Sequence, residues 1–103
     1  MEDSQIIALL FARAEGAIEA LAQRYGKRLL ATARSILPSP EDAGESVSDT
    51  YLALWNAIPP RKPDPLGGFV YKVGRNQAIR KLREQQAARR DSRYDLSLEE
   101  LSD

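Results

Sequence analysis

The sequence predicts an all-α fold, a compact bundle of about four helices, and three observations predict it. Apolar residues recur at spacings of three and four over long stretches, whereas no window alternates with period two for long enough to make a strand. Gly and Pro punctuate the chain between those stretches. The length, 103 residues, holds a single core and little more.

The first helix is predicted to start near Asp3 or Ser4, both good N-cap residues, and to run through Ile6, Ile7, Leu10 and Phe11. A break near Ala14–Gly16 separates it from a second helix. There Ile18, Leu21, Ala22, Tyr25, Leu29, Ala33 and Ile36 form one apolar stripe. Gly26 interrupts good helical sequence at a cost of about 1 kcal/mol relative to Ala, which marks a position where a neighbour packs closely. The third helix has the clearest start. Ser39 caps, Pro40 fits the first helical position, and Glu41 and Asp42 sit where the helix dipole favours negative charge. Its expected core face is Ala43, Val47, Tyr51, Leu54 and Ile58, and Pro59-Pro60 stops it. Leu52 and Trp55 fall off that stripe, as a widened core edge or as an exposed apolar patch, the first being commoner. Residues 59–66 hold four prolines, giving a stiff, non-helical loop. The fourth helix is predicted from about Leu66 to Ala88. Leu66, Phe69, Val70 and Val73 face the core, and a change of face puts Ile79 and Leu82 beside Tyr71, Lys72 and Arg75. Residues 1–88 thus make the domain, and 89–103 read as a charged linker or tail.

The composition excludes much chemistry. The chain has no Cys and no His, which removes disulfides, thiolate metal sites, and the commonest general base and metal ligand. Glu45 and Asp49 stand four apart on one helix face, but neither a nucleophile nor a Gly-rich phosphate loop accompanies them. No enzymatic activity, no metal and no cofactor is expected. No apolar run approaches a bilayer span, and Met-Glu-Asp-Ser lacks the basic start of a secretory signal, so the expectation is a cytoplasmic protein without membrane association.

Fifteen basic and fifteen acidic residues cancel overall, but they are segregated. Residues 1–60 carry 5 basic and 8 acidic groups, residues 61–94 carry 10 and 3, and residues 95–103 carry none and 4. The basic block starts on the proline-rich loop with Arg61 and Lys62. It continues along the fourth helix through Tyr71, Lys72, Arg75, Asn76, Arg80, Lys81 and Arg83. Cations attract phosphates irrespective of sequence, while an aromatic ring and an amide among them offer base stacking and a base-edge hydrogen bond. Taken singly, Tyr71 reads as a half-buried rim residue and Asn76 as a local cap; their shared surface favours nucleic acid.

Two motifs carry a family resemblance. Glu41-Asp42-Ala43-Gly44-Glu45-Ser46-Val47-Ser48-Asp49-Thr50-Tyr51-Leu52-Ala53-Leu54-Trp55 resembles the polymerase-binding helix in region 2 of bacterial sigma-70 family factors, above all the extracytoplasmic-function type. About twenty residues on, the run from Phe69 to Arg83 resembles that family's promoter-reading helix. The usual Asp-x-x-Gln-Glu is Glu45-Ser46-Val47-Ser48-Asp49 here, the Trp of a Trp-Leu pair is Phe69, and a frequent Asp or Asn is Arg80.

The resemblance implies a transcription initiation factor domain. It would dock on the clamp helices of the largest core RNA polymerase subunit through Glu45, Ser48, Asp49 and Leu52. It would capture a base flipped from the non-template strand of the −10 element at the loop bearing Arg61, Lys62 and Asp64. Tyr71 would stack, Lys72, Arg75, Arg80 and Arg83 would hold phosphates, and Asn76 would read a base edge. It further implies an anti-sigma factor as a candidate partner, and a C-terminal helix-turn-helix domain that these 103 residues do not include. Two other readings stay open: a helical protein-interaction module with a basic face, and a stand-alone duplex DNA-binding regulator.

Overall fold

The computed structural model describes the backbone of residues 1–102 and the side chains through Arg89. Four helices follow one another: α1 (Asp3–Phe11), α2 (Gly16–Ile36), α3 (Pro40–Ala57) and α4 (Leu66–Ser102). No strand occurs among the described residues, so the all-α expectation holds. α2, α3 and α4 pack on one another, and α1 lies against α2.

The helix starts follow local chemistry. Ser39 Oγ accepts from the Asp42 N–H at 3.4 Å, with Pro40 in the first turn. At α1, Glu2 rather than Asp3 or Ser4 takes the cap position, and its N–H donates to Gln5 Oε1 at 2.9 Å. Asp3 is thereby free for another task. Its carboxylate accepts from the Tyr25 hydroxyl and pairs with Arg24 Nε at 2.9 Å, tying α1 to α2.

The predicted break between α1 and α2 is real, and Arg13 makes it. Its φ of 54° is the left-handed value that glycine usually supplies after a helix, costing an L-residue about 1–2 kcal/mol. The guanidinium offsets that strain. One Nη1 donates to the carbonyls of Trp55 (2.7 Å) and Ile58 (3.0 Å), and the group lies 3.7 Å from the centroid of the Trp55 ring. The α1–α2 corner is thus fastened to the last carbonyls of α3, where the helix dipole favours a cation.

Two core faces differ from the apolar stripes in the sequence. α3 buries Ala43, Ser46, Thr50 and Leu54, with Ile58 just beyond its end, while Val47 and Tyr51 are only half-buried. α4 shows no change of face. Its contact row continues from Leu66 and Val70 through Gly74 and Ala78, both buried, to Leu82. The physical reason is close approach. A Cβ on Gly74 would stand 2.5 Å from Leu29 Cδ2 and 3.7 Å from Thr50 Cγ2, so α2, α3 and α4 meet where only hydrogen fits. Gly26 behaves as its position in the stripe foretold, since a Cβ there would meet the Tyr51 hydroxyl at 3.2 Å. The backbone of α4 stays helical to Ser102; the side chains of the tail beyond Arg89 lie outside the described residues.

Candidate nucleic-acid interface

The long fourth helix carries the core on one side and Lys72, Asn76 and Arg83 on the other. At about 100° per residue, Lys72, Asn76 and Arg83 fall within about 40° of one another, opposite the row from Val70 to Ala78. All three are exposed. Arg75 is also exposed and lies on the flank nearer α2, beside Tyr71.

Tyr71 is not a free stacking platform. Its ring packs edge-to-face with Tyr25, the centroids 5.5 Å apart, and the guanidinium of Arg28 sits 4.4 Å from its centroid. Half-burial is the outcome that its position on a rim favoured. Arg28, from α2, thereby joins the cationic surface, a contribution that no local signal in α2 announces. Tyr25 itself is held between α1 and α4. Burial, and then donation to Asp3, raise its pKa above the ordinary 10.0. A Cβ on Gly67 would come 3.4 Å from the Tyr25 ring, so the first of the two glycines opening α4 serves packing.

The proline-rich loop leads straight into this helix. Arg61 is exposed, with its guanidinium 5.7 Å from the Phe69 ring centroid, so loop and helix form one continuous surface. Lys62 and Asp64 are also exposed. Between the loop and α1 opens a groove of about 610 Å³. Lys62, Pro63, Asp64 and Pro65 form one wall, and Asp3, Ser4, Ile7 and Phe11 the other. Phe11 is 43% exposed, an aromatic ring left open on the groove. Sequence reasoning missed the α1 wall because nothing local connects residues 3–11 with residues 62–65.

The acidic ridge is a separate feature. Glu45, Ser48, Asp49 and Leu52 are all exposed on α3, and Leu52 is 59% exposed, an apolar side chain standing in a polar surround. Of the two off-stripe residues, Leu52 is thus the exposed one and Trp55 the packed one, under Arg13. Glu45 is not unpaired: Lys81 Nζ lies 2.8 Å from its Oε2, and that contact raises the lysine pKa. Arg80 stands apart from Lys72, Asn76 and Arg83 around the helix. It lines a cleft with Asp49, Leu52 and Asn56 of α3 and pairs with Glu84 at 3.4 Å.

The family described as Sigma-70 region 2 matches residues 21–88, which covers α2 from Leu21 onward, α3, the loop and α4 up to Ala88. The chain belongs to the sigma-70 region 2 family. It is a sigma-factor region that serves transcription initiation through binding of RNA polymerase and recognition of promoter DNA. No curated protein and no solved structure matches the chain. Both motifs that carry the resemblance fall inside the matched span, whereas α1, and with it one wall of the groove, lies outside. Sigma region 2 is not an enzyme class. Among the described residues no helix is long and apolar enough to cross a membrane, and no cluster of His, Cys, Asp or Glu could hold a metal ion.

Proposed function

We propose that this sigma region 2 is of the extracytoplasmic-function type and that it recognises and opens the −10 promoter element. Glu45, Ser48, Asp49 and Leu52 dock on the clamp helices of the largest core subunit. The opened non-template strand lies on α4. Lys72, Arg75 and Arg83 meet its phosphates, and Asn76 hydrogen-bonds a base edge. Arg61, Lys62 and Asp64 surround a base leaving the stack. Unstacking costs a few kcal/mol, and a loop with four prolines loses little further entropy on capture. A base stacks on Phe11 of the groove more readily than on Tyr71, whose ring already has two partners. An anti-sigma factor that covered the α3 ridge would block docking.

One observation carries this reading. Exposed Arg61, beside Phe69, and exposed Lys72, Asn76 and Arg83 form a strip along the loop and one face of α4, and the acidic ridge lies on α3. Ridge and strip therefore serve partners of opposite charge at once. The test is binding by the full chain with purified core polymerase. A single-stranded −10-like oligonucleotide should bind better than duplex or scrambled strand, with log affinity falling against log salt by about 0.7 per phosphate contacted. Charge reversal at Glu45 and Asp49 should abolish core association and leave the free chain's helix content and strand binding unchanged. Equal affinity for single strand and duplex would favour a plain interaction module, and preference for duplex a duplex regulator; either defeats the reading.

A further inference from the structure

A second concavity, about 380 Å³, opens between α3 and α4. From α3 it takes Asp49, Leu52, Ala53 and Asn56, and from α4 Gln77, Arg80, Lys81 and Glu84. The Lys81 ammonium is already paired with Glu45 at 2.8 Å, which leaves Arg80 as the more open cation. The sequence pattern groups Arg80 with the phosphate-facing cations, but the winding of the helix separates them. Eight residues turn an α-helix through about 800°, which leaves Arg80 about 80° from Lys72, rotated towards α3. Its side chain is 74% exposed and its Nε touches Glu84 at 3.4 Å, so the other guanidinium donors are open to a partner.

We infer that the polymerase-binding surface is this two-helix cleft rather than the α3 ridge alone, with Arg80 as its cationic contact. The occupant is a helix of core polymerase that brings a basic side chain to Asp49, an apolar one to Leu52 and a carboxylate to Arg80. The inference rests on the reading above that α3 docks on core polymerase. Charge complementarity selects a protein helix over nucleic acid. The cleft is of mixed sign, Arg80 and Lys81 against Asp49 and Glu84, and each cation already has a carboxylate partner. A uniformly negative phosphate backbone would thus meet both carboxylates without an unpaired cation to offset them. A helix carrying both signs satisfies Asp49 and Arg80 together, and the amides of Asn56 and Gln77 accept either donors or acceptors. Leu52 supplies the apolar centre that a charged rim alone would lack. The cleft is also continuous with the ridge, because Asp49 and Leu52 belong to both.

The experiment compares Arg80→Gln with Arg83→Gln, which remove the same charge from the same helix, so a general loss of attraction is common to both. Each variant of the full chain is titrated against purified core polymerase and, separately and at low salt, against a single-stranded −10-like oligonucleotide. Circular dichroism checks that helix content is unchanged. Arg80→Gln should weaken core binding at least about fivefold, near 1 kcal/mol on the scale where tenfold is 1.4. Arg83→Gln should change it less than about twofold. Against the strand the order should invert, with Arg83→Gln lowering the salt slope by about 0.7 and Arg80→Gln leaving it unchanged. Asp49→Arg separates the two levels of the argument. If Asp49→Arg loses core binding while Arg80→Gln keeps it, the cleft is wrong and ridge docking stands. If Asp49→Arg binds core as the parent chain does, ridge docking falls as well. Equal loss of strand binding by both glutamine variants would return Arg80 to the phosphate-facing set and overturn the inference.

Discussion

Arg13 gives the sharpest test of how the fold positions the interface, because strain and anchorage reside in one residue. Arg13→Ala keeps the left-handed backbone and its cost while removing two charge-assisted hydrogen bonds to the end of α3 and the contact over Trp55. The site is partly exposed, so each hydrogen bond contributes near the low end of its range, about 1 kcal/mol, and the cation–π contact about 0.5–1. The expected loss is about 2–3 kcal/mol. For a domain of 103 residues that corresponds to a fall in Tm of roughly 10 °C. Arg13→Gly removes the same anchors but relieves the backbone, recovering about 1 kcal/mol. Stability should therefore fall in the order parent, Arg13→Gly, Arg13→Ala. Urea denaturation followed by circular dichroism measures all three, and Trp55, the chain's only tryptophan, reports the local change by fluorescence. A glycine variant less stable than the alanine variant would refute the strain argument. An alanine variant as stable as the parent would refute the anchorage.

Three further outcomes follow from packing and charge. Gly74→Ala should destabilise by about 1 kcal/mol, overpacking against Leu29 exceeding the gain in helix propensity, and the same substitution made in Leu29→Ala should stabilise by about as much. Thermal melts of the four chains read that reversal of sign, and a cost that persists without the Leu29 side chain would assign the strain elsewhere. Ser46→Ala should be neutral or stabilising by up to about 1 kcal/mol, since the buried Ser46 hydroxyl has no hydrogen-bond partner among the described residues; a loss above about 1 kcal/mol would show that it has one. In alkali, Tyr25, Tyr51 and Lys81 all have pKa values raised by folding. Their contribution is complete below the unfolded values and is lost as pH rises through the folded ones, so Tm should fall above about pH 10. Tyr51→Phe should flatten that fall, and an unchanged profile would discount burial of the phenol.

What the sequence revealed and what it hid divide along one physical line. Starts, stops and breaks depend on local chemistry, and Ser39-Pro40, Pro59-Pro60 and the Ala14–Gly16 break were all legible. The core row of α4 was not, because Gly74 and Ala78 bury little apolar surface and leave no stripe, although they let helices approach most closely. The same close approach turns Ser46 and Thr50 inward and leaves Val47 and Tyr51 at the edge, an inversion that hydrophobicity alone cannot foresee. The cationic strip was legible for the opposite reason: exposed charge at helical spacing needs no partner to be recognised. Contacts between distant segments stayed hidden, namely Arg28 on Tyr71, Phe11 facing the loop, and Arg80 turned toward α3.

Lys81 reaches from α4 to the acidic ridge of α3. Its side chain is 21% exposed while that of Glu45 is 65% exposed, so the lysine stem lies against the helices and delivers its ammonium to the edge of the acidic ridge. Such a pair, open to solvent at one end, contributes at most about 1 kcal/mol. Lys81→Met retains the stem and deletes the charge, so stability should change by less than about 1 kcal/mol. The consequence for function is larger. Unpaired Glu45 becomes available to a basic partner and the ridge gains one negative charge, so association with core polymerase should quicken at low salt and lose that advantage as salt screens it. Stopped-flow association at two ionic strengths measures the effect. Slower association at low salt would mean that Lys81 itself meets the partner, and Glu45 would then orient the lysine rather than form part of the docking charge.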